Sequence, residues 1–170
     1  PKGRQVSVDR VIPDCFDDSF DLLDKELYCE RPVRCIRDKS FLNWRYAMNP
    51  LREFWVLTAK NSSAELEGFV VFNKSGDSRI RIYDMQAKGQ DEAKGNLLRS
   101  LINYGVADGL EAIEISLLDN NPWVAELKKF GFVKRGPGSD VFVFANEGGE
   151  MVDEVTDPAN WFLIEGDRDT

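Results

Sequence analysis

The amino-acid sequence predicts a single α/β domain built on a mixed sheet. Three apolar runs, at 54–59, 68–73 and 79–85, are joined by short connections rich in Asn, Ser and Gly, which is typical of an antiparallel meander. A long stretch of helical period follows at 91–108, and a run of alternating apolar and polar residues comes next at 112–118. Strands clustered before a helix, with further strand and helix signals after it, favour a mixed sheet with helices on its faces.

The size and charge of the chain limit the classes of function. Its 170 residues fit one domain, and 42% hydrophobic residues, with an aromatic share of 11%, are enough for a buried core. The net charge of −8 argues against broad contact with nucleic acid or with anionic membranes. Since no apolar run reaches about 18 residues, we expect no transmembrane helix.

Cysteine and histidine usage narrows the chemistry further. The three cysteines, Cys15, Cys29 and Cys35, form no Cys-x-x-Cys pair, which favours reduced thiols in a cytoplasmic protein over a disulfide framework or a zinc site. The chain has no histidine. That composition excludes Ser-His-Asp and Cys-His triads and histidine-ligated metals, so we predict no metal site.

A strand and two helices are predicted before the meander. Alternating valines indicate a strand at 5–11, and Asp14 is placed to cap a helix that runs on towards Arg31. A second short helix is predicted at 41–46 and is stopped at Pro50. The apolar side of the first helix has four residues at helical spacing: Phe16, Phe20, Leu23 and Leu27.

Further elements are predicted after the alternating run. Pro122 suits the first turn of a helix that ends at Gly131, and residues 141–145 have the pattern of a strand. We expect a mobile acidic loop at 147–157 and an edge strand or clamp at 161–164.

These elements form one domain in the predicted order β-α-α-β-β-β-α-β-α-β(β). Residues 1–146 hold the core, and residues 147–170 form an acidic loop and a C-terminal edge segment that pack on the same domain. Neither an internal repeat nor a low-complexity linker marks off a second core.

This order resembles the layout of the acyl-CoA N-acyltransferase (GNAT) superfamily. The segment from Asn121 to Gly131-Phe132 is similar to that superfamily's Asn…Gly-Phe helix, and residues 84–101 fall where its members carry the strand, loop and helix that hold coenzyme A. In addition, two motifs resemble a bacterial GNAT subgroup in which this unit is often the degenerate C-terminal half of a two-GNAT chain. They are Leu42-Asn43-Trp44-Arg45-Tyr46 with Pro50, and Asn160-Trp161 with Gly166-Asp167-Arg168-Asp169.

The resemblance implies acetyl-CoA or another acyl-CoA as the cofactor. GNAT enzymes bind its pyrophosphate with an (Arg/Gln)-x-x-Gly-x-(Gly/Ala) loop at a helix N-terminus, and Gln86 to Gly89 matches the first half of that pattern. Asp91 and Glu92 depart from it, because two carboxylates there stabilise a helix but repel a pyrophosphate, so a well-capped helix is the alternative interpretation. The resemblance assigns these positions to the cofactor: Met85, Gln86, Ala87, Lys88, Gly89, Gly95 and Asn121.

Acyl transfer to an amine benefits from a base and an acid. In many GNAT enzymes a tyrosine on the Asn…Gly-Phe helix is the acid, but the matching position here is Leu127, which lies on an apolar stripe and suits core packing. Asp84 follows Ile80 and Ile82 on one strand face, so its carboxylate is either a base with a raised pKa or a polar group where the sheet splays. The candidates for acid or base are Tyr83, Asp84, Glu114 and Ser116.

Two polar segments have open interpretations. Trp44, Arg45 and Tyr46 combine aromatic rings with a cation and could line an acceptor pocket; alternatively, Trp44 packs and Arg45 pairs with a surface carboxylate. Residues 166–169 are rich in carboxylates but lack the oxygen spacing of a calcium loop, so a solvated terminus is expected there.

Three functions follow from these observations. The first is an acyltransferase that modifies an amine of a small molecule or sugar precursor, favoured by the element order and by the Gln86–Gly89 match. The second is a non-catalytic GNAT-fold module beside an active GNAT domain or in a homodimer, favoured by Leu127 and the acidic loop. The third, an aminoacyl-tRNA-dependent transferase of related fold, fits the acidic charge poorly.

Overall fold

A computed structural model describes residues 5–27, 32–76, 78–89, 92–136, 141, 143 and 149–168. In chain order its elements are β1 (Gln5–Arg10), α1 (Asp18–Leu27), β2 (Val33–Arg34), α2 (Lys39–Leu42), β3 (Trp55–Lys60), β4 (Leu66–Ser75), β5 (Arg79–Ala87), α3 (Glu92–Ala107), β6 (Ala112–Ile115), α4 (Val124–Lys129), α5 (Val152–Thr156) and β7 (Trp161–Phe162). A π-helical turn at Asn43–Ala47 extends α2, and 3₁₀ turns at Pro158–Asn160 and Glu165–Asp167 flank β7.

Five strands form one sheet in the order β1-β3-β4-β5-β6, which confirms the predicted mixed sheet. The pairs β1–β3, β3–β4 and β4–β5 are antiparallel, so the predicted meander is present, whereas β6 joins β5 in parallel. A second, separate pair consists of β2 and β7, which run parallel to each other. The predicted edge segment at 161–164 therefore pairs with a short strand that the sequence pattern did not indicate.

Helices cover both faces of the main sheet. On one face α3 and α4 bury Leu97, Leu101 and Leu127 against the strands. On the other face α1 buries Phe20 and Leu23, and α2 buries Leu42, among the aromatic side chains of the meander. Each such side chain contributes about 1.5–3 kcal/mol to stability, so the two clusters fix the helices on the sheet.

A β-bulge in β5 changes which residues face each cluster. Opposite β4, the pairing moves from Phe72↔Ile82 to Val71↔Asp84, which leaves Tyr83 as the extra residue. As a result, Ile80 and Ile82 share the α3 cluster with Met85 and Ala87 instead of with Asp84. The prediction that Asp84 continues the face of Ile80 and Ile82 is therefore wrong, because it assumed an unbroken alternation along the strand.

The bulge lies next to the point where β5 and β6 separate. The two strands pair from Arg79↔Ala112 to Ile82↔Ile115; beyond that pair, β6 ends while β5 continues to Ala87. The C-terminal segment, residues 161–168, comes against this opening through β7 and through an isolated bridge between Leu117 and Ile164. We refer to the opening as the groove and to residues 161–168 as the strap.

Helix starts in the N-terminal part differ from the predicted ones. α1 begins at Asp18, and Asp14 has a left-handed backbone with φ of 61°, so it does not cap the helix. Instead the Asp17 carboxylate accepts the amide hydrogen of Ser19 at 2.9 Å. The second helix starts earlier than predicted, at Lys39, where the carboxylate of Asp38 caps it by accepting the Phe41 amide at 2.8 Å.

Near the C-terminus, two predictions need revision. The acidic stretch at 147–157 is not a continuous loop, because Val152–Thr156 forms α5. In the predicted strand at 141–145, the described residues Val141 and Val143 belong to no strand and are exposed, and the other positions lie outside the described residues. The long helix agrees closely with its predicted span, and Gly109 follows it with φ of 71°. None of the helices in the described part of the chain has the length and hydropathy of a membrane span.

Candidate functional site

The side chain of Arg37 lies fully buried at the junction of the strap and β5. Its Nε donates to Asp84 Oδ1 at 2.7 Å, and its Nη2 donates to both carboxylate oxygens of Asp167 on the strap at 2.8 Å. Nη1 donates to the carbonyl oxygen of Cys35 at 2.8 Å. The guanidinium also lies 5.0 Å from the centre of the Phe162 ring. One buried cation thus joins the strap to the central sheet.

Both oxygens of the Asp84 carboxylate are engaged within the same cluster. The hydroxyl of Tyr46 donates to Oδ2 at 3.1 Å, and the Met85 amide donates to Oδ1 at 3.0 Å. Complete burial raises the pKa of Asp84, and the charge of Arg37 opposes that shift. Burial and the nearby Asp84 charge likewise raise the pKa of Tyr46. Of the two interpretations open for Asp84, this geometry favours the polar group at the splay; a role as base stays a prediction.

Gly166 lets the strap approach β5 at the bulge. A Cβ at this position would lie 2.7 Å from the Tyr83 carbonyl oxygen and would also overlap the Tyr46 hydroxyl. The neighbouring Asp167 is almost entirely buried. The expectation of a solvated terminus at 166–169 is therefore wrong for Gly166 and Asp167, while Asp169 lies outside the described residues. Sequence reasoning missed Arg37 and Asp167, although the apolar Trp161-Phe162 pair ahead of Gly-Asp was a usable signal.

Several polar atoms around the groove are buried without a hydrogen bond among the described residues: Gln86 Oε1, Asn121 Nδ2 and Glu165 Oε2. Gln86 lines a small cavity of about 30 Å³, together with Lys94, Trp123 and Phe162 of the strap. Asn121 lies immediately before Pro122 and Trp123, which line the same cavity, and its Oδ1 accepts the Trp123 amide at 3.0 Å. The strap therefore closes the cavity beside Gln86 without satisfying the hydrogen bond of that amide oxygen.

The end of β5 and the loop after it contain most of the residues that the resemblance assigns to the cofactor. Gly89 has φ of 70°, but the Lys88 amide is bonded to the Glu67 carbonyl at 2.7 Å and the Lys88 ammonium pairs with Glu26 at 2.7 Å. Met85 and Ala87 point into the core. Gln90 and Asp91 lie outside the described residues.

Two carboxylates, those of Glu92 and Glu126, belong to or lie near the first turns of α3. Glu92 occupies the first turn, as the sequence indicates, and the buried Glu126 of α4 comes within 3.4 Å of the position that a Cβ on Gly95 would take. The Lys94 ammonium lies 5.4 Å from the centre of the Trp123 ring and supplies positive charge beside them. The potential at this helix start is thus mixed and not uniformly suited to an anion.

The structure does not bring the remaining candidates together. Tyr83 is buried and its hydroxyl accepts from Arg52 at 2.8 Å. Glu114 is partly exposed and pairs with Arg81 across β5 and β6 at 2.7 Å, and Ser116 is half-buried just beyond it. Leu127 is buried in the core, as the apolar stripe predicts.

The predicted acceptor-pocket residues point to three different surroundings. Trp44 is exposed and its ring lies 5.9 Å from that of Phe41, whereas the Tyr46 side chain reaches inward to Asp84. Arg45 donates to the backbone carbonyl of Arg168 at the end of the strap. A common acceptor pocket for the three stays a prediction.

Comparison with known structures identifies the fold. A presumed acetyl transferase from Pyrococcus furiosus superposes with a TM-score of 0.57 at 16% identity, covering 82% of this chain and 100% of that one. The ribosomal-protein-alanine N-acetyltransferase from Brucella melitensis gives 0.54 at 15% identity, with 82% and 100% covered. The chain has the GNAT fold. A further presumed acetyltransferase, from Bacillus subtilis, gives 0.53 at 12% identity, with 83% and 100% covered.

Sequence comparison adds no further relative: no protein-family model matches the chain, and no curated protein matches it significantly. Residues 84–101, which the resemblance assigns to coenzyme A, include the end of β5 beside the opening and the loop that follows it. In this GNAT fold the strap lies across that opening.

Proposed function

We propose that this chain is a GNAT-type N-acyltransferase that uses an acyl-CoA, in a state where the strap closes its cofactor groove. The observation that carries the proposal is a pair of buried amides without a hydrogen bond in the described part of the chain: Gln86 Oε1 in the lining of the cavity, and Nδ2 of Asn121, which directly precedes two residues of that lining. Nearly all buried polar groups in proteins are paired, and leaving one unpaired costs about 1–3 kcal/mol. A module with a purely structural groove gains stability by replacing both amides with apolar residues.

The unsatisfied atoms match one class of ligand. Gln86 Oε1 needs a hydrogen-bond donor and Asn121 Nδ2 needs an acceptor, so an extended chain with amide groups satisfies both. The pantetheine arm of an acyl-CoA is such a chain, and the Lys94 ammonium in the same cavity adds positive charge. The residues that would hold the cofactor are thus Gln86, Asn121 and Lys94, with Gly89 in the loop.

Bound acyl-CoA supplies an activated thioester. As an amine acceptor forms its N–C bond, the C–S bond breaks, the amine loses a proton to a base and the leaving thiolate takes one up. Among the candidates, Glu114 has a carboxylate that reaches solvent and that lies one residue before the last β5–β6 pair. We assign the base to Glu114 and leave Asp84 with Arg37.

The second candidate function is a non-catalytic GNAT-fold module that binds beside an active GNAT domain or another copy. Two observations favour it. Leu127 occupies the position of the family's acid and is buried in the core. Glu126 and Glu92 place negative charge near the start of α3, where a pyrophosphate needs positive potential.

The packing energy that holds the strap can be compared with the free energy that acyl-CoA binding contributes. The buried side chains of Phe162 and Ile164 together hold the strap with about 3–6 kcal/mol. A ligand present at one thousand times its Kd contributes about 4 kcal/mol. Because the two figures are of similar size, acyl-CoA alone does not displace the strap efficiently, but a weakened strap shifts the balance.

Calorimetric titration of acetyl-CoA tests the proposal. We expect weak binding to the wild-type chain and at least tenfold tighter binding to Ile164→Ala, which removes about 2–4 kcal/mol of strap packing. Val133→Ala, at an exposed valine, is the matched control and should behave like wild type. If Ile164→Ala still binds no acetyl-CoA at about 1 mM, the upper end of the usual range of KM, the enzyme proposal fails and the non-catalytic module remains.

A further inference from the structure

We propose that residues 161–168 form an autoinhibitory strap that leaves the groove as a unit and is latched by Asp167 on Arg37. The ligand that the strap excludes rests on the proposed function, whereas the movement of the strap does not. The strap is the last described segment of the chain, and the five-stranded sheet does not include it.

The strap is attached to the domain at few points. Its regular structure is the two-residue β7 paired with β2, followed by the single Leu117–Ile164 bridge and a 3₁₀ turn. Two of its backbone hydrogen bonds, from Asp167 to Ile164 and from Arg168 to Glu165, stay within the strap. These internal bonds survive release, so undocking breaks a short list of contacts and not a sheet ladder.

The latch holds an excess of negative charge. Asp84 and Asp167 share the single guanidinium of Arg37, so docking buries two carboxylates against one cation. The strap buries a third carboxylate, Glu165, whose Oε2 lies 3.6 Å from Arg168 without a hydrogen bond. When the strap leaves, Asp167 and Glu165 become hydrated while Arg37 keeps Asp84, and the buried cluster becomes neutral.

The docked strap also leaves buried amide groups without hydrogen bonds to the residues that the structure describes. Phe162 closes the cavity next to Gln86, yet the amide oxygen of Gln86 and the amide nitrogen of Asn121 keep no partner among the described residues. A permanent core segment satisfies such groups or replaces them. Apolar burial holds the strap, whereas the charge excess and the unsatisfied amides oppose it, which is the balance that a displaceable segment needs.

Cys35 provides a native reporter of the latch. The residue is exposed, and its thiol faces Asp167; partial burial of the thiol and the Asp167 charge raise the pKa of Cys35 to about 11. A thiol with that pKa is almost wholly protonated at pH 8 and alkylates slowly. Release of the strap removes the neighbouring carboxylate, which lowers the pKa of Cys35 towards its ordinary value and increases the thiolate fraction at pH 8.

The experiment measures iodoacetamide alkylation of Cys35 at pH 8 by peptide mass mapping, which separates it from the other cysteines. Ile164→Ala leaves Asp167 in place and loosens the strap, so we expect at least tenfold faster alkylation of Cys35. Asp167→Asn should also accelerate it, since the charge and the latch are lost together. Asp153→Asn, an exposed carboxylate on α5, is the control and should leave the rate unchanged.

Hydrogen exchange supplies the second measurement. In Ile164→Ala the amides of the strap should exchange at least tenfold faster than in wild type, while the amides of β5 keep their protection. The proposal is overturned if Cys35 alkylates at the wild-type rate in Ile164→Ala, or if strap and β5 amides exchange together. If the strap opens but acetyl-CoA does not bind, the strap stands and the proposed enzyme function falls.

Discussion

The guanidinium of Arg37 binds both carboxylate oxygens of Asp167 at 2.8 Å, across 130 residues of sequence. The same guanidinium reaches Asp84 on β5. A single side chain from the connection between β2 and α2 therefore fixes the last described segment of the fold to the main sheet.

Replacing Arg37 should strongly lower the stability of the folded protein. In Arg37→Met the carboxylates of Asp84 and Asp167 are left buried without a cation, so we expect the free energy of unfolding in urea to fall by about 3–5 kcal/mol. Asp167→Asn keeps one carboxylate for the one guanidinium and should cost clearly less. Equal losses in the two variants would contradict the charge count given for this cluster.

A methyl group at Gly166 should separate the strap from β5. Gly166→Ala places a Cβ within 2.7 Å of the Tyr83 carbonyl oxygen, so we expect a loss of about 1–3 kcal/mol in urea unfolding and faster alkylation of Cys35. Gly76→Ala is the matched control, because a Cβ at Gly76 meets no atom within 4 Å. A Gly166 variant as stable as the Gly76 variant would show that the contact yields without cost.

Stability and ligand binding should change in opposite directions at Gln86. Gln86→Met removes a buried oxygen without a partner, so we expect a gain of roughly 1 kcal/mol and a rise in Tm. In the Ile164→Ala background, the same change should weaken acetyl-CoA binding in calorimetry at least tenfold. If Gln86 has only a structural role, the substitution should leave acetyl-CoA binding unchanged. A lower Tm would contradict the conclusion that its amide oxygen is buried without a partner.

The start of α1 can be tested with two neighbouring aspartates. Asp17→Ala loses the carboxylate that accepts the Ser19 amide and should cost about 1 kcal/mol in thermal unfolding. The hydrogen bond from the Ser19 hydroxyl lowers the pKa of Asp17, so this stabilisation is present above the ordinary carboxyl pKa and is lost as the pH falls through the lowered value.

The matched variant is Asp14→Gly, at a residue with φ of 61°. Glycine adopts that conformation without strain, so this change should be neutral or slightly stabilising. If Asp14→Gly is the more damaging of the two, the helix begins earlier than the structure places it.

The meander and the long helix were predictable because their signals are local. The apolar runs at 54–59, 68–73 and 79–85 and the helical period at 91–108 each lie within one element. The Arg37–Asp167 pair was not predictable in this way, because neither residue carries a pattern of its own and their contact depends on the chain returning to β5. The environment of Asp84 depends on that same return.

Sequence reasoning named two residues in or next to the lining of the cavity. The resemblance to GNAT proteins assigned Gln86 and Asn121 to the cofactor; in the structure Gln86 lines the cavity beside the strap and Asn121 directly precedes two residues that line it, while their role in binding a cofactor stays a prediction. The resemblance could not indicate that Phe162 closes the same cavity, because the strap lies far along the sequence from Gln86. Trp44, Arg45 and Tyr46 were grouped by adjacency, yet neighbours on a helical turn point in different directions.

The bulge at Tyr83 determines the side of the sheet on which Asp84 meets Arg37. Beyond this extra residue, every side chain of β5 faces the side opposite to the one that an unbroken strand gives it. Deleting Tyr83 would make Asp84 the direct neighbour of Ile82 in a regular strand, so Asp84 would stay on the face opposite to Ile80 and Ile82. The extra residue thus gives β5 two successive side chains, Tyr83 and Asp84, on the side of the sheet where Tyr46 lies, which an unbroken alternation does not allow.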